Sequence, residues 1–282
     1  MAQIIVHDLD VFYREQGSGP VVILGHSSTG SSSQWRDLIE DMSRDYRLIA
    51  PDHIGYGRTP CSCSSSSMME HEISIIEGLI AQLAKGTVHL VGHSYGGSIL
   101  ARVAVRNELQ VKSLTLIEPT LFHLLEHYDR RHELDEIRAV GDRVIKLTAE
   151  GCPREASKGF IDYWVDQGAF DEMDSHVQDS IAQGMLKLST EWSEAFQPLG
   201  SEPENLAKFK RPVQLICAAN TTSAARAVVD VLNTIWPSAE RVDLDVGGHM
   251  SPLTHSAAVN AHIIRFVSSI DGLPSGANYR TD

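Results

Sequence analysis

The chain has 282 residues, 42% hydrophobic and 22% charged, which fits a soluble globular protein of one large α/β domain with an insertion, or of two domains. Its 24 Lys and Arg against 37 Asp and Glu give a formal net charge of −13, which repels phosphate backbones and anionic lipid and argues against nucleic acid or a membrane as partner. No apolar run approaches the roughly 18 residues that span a bilayer, the first residues alternate like a strand and unlike a signal peptide, and Cys61, Cys63, Cys152 and Cys217 are too scattered for a disulfide framework or a zinc site, so a cytoplasmic protein without a metal is expected.

Alternating runs at residues 4–6 and 11–13, then a Gly17-Ser18-Gly19-Pro20 turn, predict a hairpin feeding a larger sheet. Compact apolar runs predict buried strands at 21–24, 46–50, 88–91, 114–117, 213–217 and 241–244. Helical patterns fall between and after them, at 34–42, 70–83, 98–105, 224–235 and 257–267. This alternation implies a mostly parallel sheet covered on both faces, with functional residues just after the strands. From 120 to 205 there is no convincing strand run, only charged helical stretches at 128–143, 160–165 and 177–196. We read this interval as a helical cap or lid over the strand ends, with ordinary peripheral helices as the plainer alternative. The serine-rich stretch at 61–67 and the polar tail at 271–282 read as mobile.

The strongest chemical signal is Gly92-His93-Ser94-Tyr95-Gly96-Gly97. It follows a strand run and leads into a helix beginning near Ser98. A serine in G-x-S-x-G sits in a sharp strand-to-helix turn that exposes its hydroxyl, and Gly92 and Gly96 are required because Cβ atoms there would meet the neighbouring strand and helix. The new helix's N-terminus adds positive potential where an oxyanion would develop. The bland alternative is a serine N-cap in a glycine-rich turn.

With these residues the chain resembles the α/β-hydrolase superfamily over residues 1 to about 270. Gly25-His26-Ser27-Ser28 looks like the family's oxyanion loop, with Ser27 where glycine is usual. Asp52-His53-Ile54-Gly55-Tyr56-Gly57 resembles its D-x-x-G-x-G turn, and Gly247-Gly248-His249-Met250-Ser251-Pro252 its catalytic-histidine loop. The resemblance implies an α/β-hydrolase fold: a mostly parallel central sheet flanked by helices, with residues 1–119 and 206–282 as core and 120–205 as helical cap.

Thirteen histidines compete for the general base. His249 follows the last strand run in a Gly-Gly loop and comes last in the order Ser, acid, His that this fold uses. His93 reads as packing beside the nucleophile and His26 as a brace of the oxyanion loop. His123, His127 and His132 read as a solvated face of the insertion. A carboxylate must orient His249 and stabilise its imidazolium. The family usually supplies it after the next-to-last strand, but here Cys217-Ala218-Ala219-Asn220-Thr221-Thr222-Ser223 contains no acid. Glu118 follows the strand run at 114–117, where a buried carboxylate needs a reason to exist. The resemblance includes relatives that carry their acid at this position. Glu118 is therefore the expected acid, ahead of Asp243, Asp245 and Asp230, and capping of the insertion is its structural alternative.

Two backbone donors are expected for the oxyanion, the N–H groups of Tyr95 and Ser28, with the Ser28 hydroxyl as a third donor. Phe122, Leu125, Phe160, Trp164, Trp192 and Phe196 are available as pocket walls. The leading expectation is hydrolysis of a small-molecule carboxylic ester or lactone by Ser94, His249 and Glu118 through an acyl-enzyme, with no cofactor. Serine at the nucleophile position sets the chain apart from the dehalogenase and epoxide-hydrolase relatives, which use aspartate. Carbon–carbon bond hydrolysis with the same three residues, an amidase or perhydrolase activity, and a ligand receptor with slow turnover are the alternatives, and oligomeric state stays open.

Overall fold

A computed structural model describes residues 1–62 and 67–273. The strands are β1 (Ala2–Val6), β2 (Leu9–Gln16), β3 (Val21–Gly25), β4 (Arg47–Pro51), β5 (Val88–His93), β6 (Val111–Ile117), β7 (Val213–Cys217) and β8 (Glu240–Asp243). They form one sheet in the order β1-β2-β4-β3-β5-β6-β7-β8. The first two pairings, β1 with β2 and β2 with β4, are antiparallel, and the others are parallel. The expected hairpin is β1 and β2, closed by His7 and Asp8, both at positive φ, the requirement of a two-residue type I′ turn.

Strand residues alternate between two apolar layers, because a parallel sheet buries both faces. Val21 and Ile23 of β3 face one layer, while Val22 and Leu24 face the other. The second layer is closed by α1 (Arg36–Met42) and α13 (Ser256–Asp271), through Leu38, Met42, Ile263 and Val267. The first is closed by α2 (Met68–Leu83), α3 (Ser94–Arg106) and α11 (Ser223–Ile235), through Ile73, Ile99 and Val228. A one-turn helix, α12 (Ser251–Thr254), follows the last strand.

Between β6 and β7 the described chain contains helices and no strand: α4 (His123–His127), α5 (Arg131–Ala149), α6 (Pro153–Trp164), α7 (Ala169–Glu172), α8 (Ser175–Gln183), α9 (Met185–Ala195) and α10 (Pro203–Leu206). The register sets the carboxyl ends of the central strands level, with Gly25 opposite Gly92, His93 opposite Ile117, and Ile117 opposite Ile216. Residues immediately after β3, β5 and β6 therefore converge on one edge.

Three expectations change. The helix after β5 begins at Ser94 itself and not near Ser98, so the serine is its first residue. His123 does not lie on a solvated face: it is 2% exposed and its Nε2 bonds the Ser201 carbonyl at 2.8 Å. Asp271 ends α13, bonded to Lys112 and His89, so the ordered helix runs into what reads as tail. The rest of that tail and most of the serine-rich stretch, Cys63 included, lie outside the described residues.

Candidate active site

Ser94 has φ +53°, a left-handed conformation that a non-glycine residue adopts at a cost of about 1–3 kcal/mol. The elbow is held because its flanking glycines let three backbones touch. A Cβ on Gly96 would lie 2.3 Å from the Gly25 carbonyl carbon, and one on Gly92 would lie 2.6 Å from the Gly97 Cα. Gly96 N–H donates to the His26 carbonyl at 3.0 Å, joining elbow and oxyanion loop directly.

Ser94 Oγ lies 3.0 Å from His249 Nε2, and His249 Nδ1 lies 2.7 Å from Glu118 Oε2. These side chains come from the ends of β5 and β6 and from the loop after β8, and all three are at most 5% exposed. The Trp164 indole stacks on the imidazole, centroids 4.0 Å apart. His93 does more than pack: its Nε2 bonds the His249 carbonyl at 2.9 Å, fixing the main chain that carries the imidazole. Burial, then the neighbouring His249, holds the His93 pKa well below the usual histidine range, so it serves as a neutral donor.

Glu118 also has positive φ, +42°. Its Oε1 accepts from Ala218 N–H at 2.7 Å, and its Oε2 accepts from the Thr221 hydroxyl at 2.6 Å as well as from His249. The segment after β7 that lacks an acid thus supplies the donors that hold this carboxylate. The Asn220 side chain is exposed, and Asn220 contributes its backbone N–H, bonded to the Gly247 carbonyl at 2.8 Å. Asp230 and Asp243 pair with Arg241 instead, at 2.8 and 2.9 Å.

The oxyanion loop is braced from beneath. His26 Nδ1 bonds the Ser27 carbonyl at 2.7 Å, and its Nε2 accepts from His53 N–H at 3.0 Å. Burial and then His53 keep His26 neutral, with its pKa well below the ordinary value. Gln34 Oε1 accepts from both Ser27 N–H and the Ser27 hydroxyl, which explains how serine is accommodated there. Asp52 accepts from Ser32 N–H at 2.7 Å and Arg58 N–H at 2.9 Å, which ties its turn to the same loop.

The Ser28 hydroxyl is not a third oxyanion donor, because it donates to Glu191 Oε2 at 2.6 Å. Glu191 belongs to a buried charged cluster that the sequence reading missed. Lys187 Nζ lies 3.1 Å from Glu191 Oε1, 2.8 Å from Glu72 Oε1 and 3.8 Å from the centre of the Tyr56 ring. Burial pushes the Glu191 carboxyl up. Burial acts the same way on Glu72, but Lys187 and His53 outweigh it and hold that carboxyl at about 2. Glu194 accepts from Met68 N–H and Met69 N–H, so three polar side chains spaced 187, 191 and 194 dock one face of α9 on the core.

Two cavities meet at Ser94. The larger, about 450 Å³, is walled by His249, Ile161, Trp164, Met173, Ile181 and Met250 among others. The smaller, about 20 Å³, lies between Ser28, Ser94, Tyr95, Phe122, Glu191 and Trp192. Phe122, Phe160, Trp164 and Trp192 thus line the site as expected, whereas Leu125 is core and Phe196 packs against the Phe122 ring at 5.8 Å.

A doubly layered, mostly parallel sheet with a serine elbow, a histidine loop and a carboxylate at adjoining strand ends defines an α/β hydrolase architecture. A sequence profile of the alpha/beta hydrolase fold matches residues 20–154. This match, just under half of the chain, together with the fold supports membership of the α/β-hydrolase superfamily. It is 28% identical over 117 residues to a 2-hydroxy-6-oxo-2,4-heptadienoate hydrolase from Pseudomonas putida, a match covering 40% of this chain and 42% of that protein. The matched stretch thus spans less than half the length of such curated relatives. Among solved structures, the enol-lactonase from Burkholderia xenovorans superposes with a TM-score of 0.74 at 17% identity, covering 95% of this chain and 100% of that one. An esterase from Thermogutta terrifontis gives a TM-score of 0.70 at 18% identity, covering 95% of this chain and 98% of that one. No helix among the described residues is long and apolar enough to cross a membrane.

Proposed function

We propose that this protein is a serine hydrolase of uncharged carboxylic esters, lactones included, with Ser94 as nucleophile, His249 as base and Glu118 as acid. The observation that carries the reading is the contact of His249 with both partners, 3.0 Å to Ser94 and 2.7 Å to Glu118. His249 Nε2 takes the Ser94 proton as Oγ bonds to the carbonyl carbon, and the N–H groups of Tyr95 and Ser28 receive the oxyanion. The C–O bond to the leaving group then breaks, and the proton on Nε2 passes to the departing oxygen. A water deprotonated by His249 attacks the acyl-enzyme and releases the acid and Ser94. Every proton moves between Ser94, His249, water and substrate, so this scheme calls on no cofactor.

Residues 120–205 act here as a cap, since Phe122, Phe160, Trp164 and Trp192 supply apolar walls above Ser94. The pocket's charge favours an ester over carbon–carbon cleavage of an anionic substrate such as the dienoate in one relative's name. Among the described residues neither cavity is lined by Lys or Arg, and the smaller one carries Glu191. A carboxylate would enter without a lysine or arginine to balance its charge.

Hydrolysis of p-nitrophenyl acetate and butyrate tests the reading. Ser94→Ala should abolish turnover, and Glu118→Gln should lower kcat by about 10⁴-fold, the typical effect of a neutral partner behind the histidine. Asn220→Ala should retain most activity. A harmless Glu118→Gln would refute the assigned acid, and covalent labelling of Ser94 without turnover would favour a receptor.

A further inference from the structure

We infer that the substrate is divided unequally by the site, with a short acyl group, of acetyl size, and a larger apolar leaving group. The inference rests on the serine-esterase reading and specifies the substrate of that same site. The tetrahedral carbon formed on Ser94 carries four substituents: Oγ, the oxyanion, the leaving oxygen and the acyl substituent. The oxyanion faces Tyr95 and Ser28. The leaving oxygen must receive its proton from His249 Nε2, so it lies on the imidazole side. His249 lines the cavity of about 450 Å³ and does not line the one of about 20 Å³. The leaving group therefore occupies the larger cavity, and the acyl substituent is directed to the smaller.

A volume of about 20 Å³ holds roughly one water-sized group, hence a methyl and little more. Its walls do not yield readily. Trp192 is 4% exposed and lies so close to Gly141 that a Cβ there would come within 2.4 Å of the indole, leaving the ring no room to retreat. Phe122 is 1% exposed and lies 5.8 Å from Trp192, ring centre to ring centre. Glu191 is 3% exposed and held by Ser28 and Lys187, which sets a charged limit where a longer acyl chain would need apolar surface. The larger cavity offers that surface through Ile161, Val165, Met173, Val177 and Ile181.

Hexyl acetate and methyl heptanoate test this, because they contain the same atoms with the long chain on opposite sides of the ester. In pH-stat assays kcat/KM for hexyl acetate should exceed that for methyl heptanoate by at least about tenfold, the lower end of discrimination per excluded methylene. Trp192→Leu should narrow that ratio by enlarging the chamber. Ala195→Leu, which fills the chamber from another wall, should lower acetyl-ester turnover by about tenfold. Equal rates on the two isomers, or a preference for methyl heptanoate, would overturn the inference while leaving the esterase reading intact. Failure to cleave either isomer or p-nitrophenyl acetate, with no labelling of Ser94 by an organophosphonate, would overturn both.

Discussion

The Ser28 hydroxyl and the Glu191 carboxylate are 163 residues apart in sequence and 2.6 Å apart in space, and their hydrogen bond ties the loop after β3 to helix α9. Ser28→Ala removes the hydroxyl and keeps the backbone N–H assigned to the oxyanion. It also leaves Glu191 Oε2 short of a donor, at a cost of about 1–3 kcal/mol in urea unfolding. If the bond also positions the loop, kcat should fall several-fold with KM little changed. An unchanged kcat would confine the bond's role to stability.

Lys187 is the buried cation between Glu72 and Glu191. Lys187→Met keeps the aliphatic stem and deletes the charge, so two carboxylates remain buried without compensation. The expected loss is about 3–5 kcal/mol, measured by chemical denaturation. A loss under about 1 kcal/mol would mean that both carboxyls take up protons at neutral pH.

Acid should weaken the fold in two steps. His26 and His93 have folded pKa values well below 6.5, and His123 is lowered to about 4, in each case chiefly by burial. The unfolded chain protonates these groups first, so stability is full above about 6.5 and is lost as pH falls below it, by about 1.4 kcal/mol per group per pH unit. Glu191, with a raised pKa, acts in the opposite sense between 4.5 and its folded value. Glu72, lowered from 4.5 to about 2, adds a second loss between those limits. Thermal unfolding from pH 7 to 3 should show a falling Tm, and His123→Gln should flatten the first step.

Thr221 donates to Glu118 Oε2, the oxygen that also receives His249. Thr221→Val removes that donor at constant shape, and a hydrogen bond to a charged group is worth about 1.5–3 kcal/mol. We expect kcat for p-nitrophenyl acetate to drop about tenfold, with the acidic limb of the rate profile displaced. Unaltered kinetics would show that Ala218 N–H alone holds the carboxylate.

The legible parts were those encoded by neighbours in sequence. Ser94 stands between a strand run and glycines, Glu118 ends an apolar run, and His249 sits in a glycine loop, so each announces its place within a few residues. The donors to Glu118 were hidden because the segment after β7 was read for an acid, when its contribution is a main-chain N–H and a threonine hydroxyl. The buried cluster was hidden more deeply. Lys187, Glu191 and Glu194 have the composition of a solvated helix face, and only the tertiary partners Glu72, Ser28 and the first turn of α2 show that this face points inward. His123 escaped for the same reason, since its partner Ser201 lies 78 residues away.

The Gly96–Gly25 contact joins elbow and oxyanion loop through main chain alone, with Gly96 N–H on the His26 carbonyl and no side chain between them. The main chain that carries Ser94 is thereby set against the loop that carries the Ser28 N–H without reliance on any rotamer. The aromatic walls beside Ser94 belong to Phe160, Trp164 and Trp192, far along the chain. The elbow and these walls are therefore set by separate parts of the chain, Trp164 being the one of the three that also stacks on His249. Mutation of the aromatic residues can reshape the pocket, while the main-chain separation of elbow and loop stays fixed between two residues without side chains.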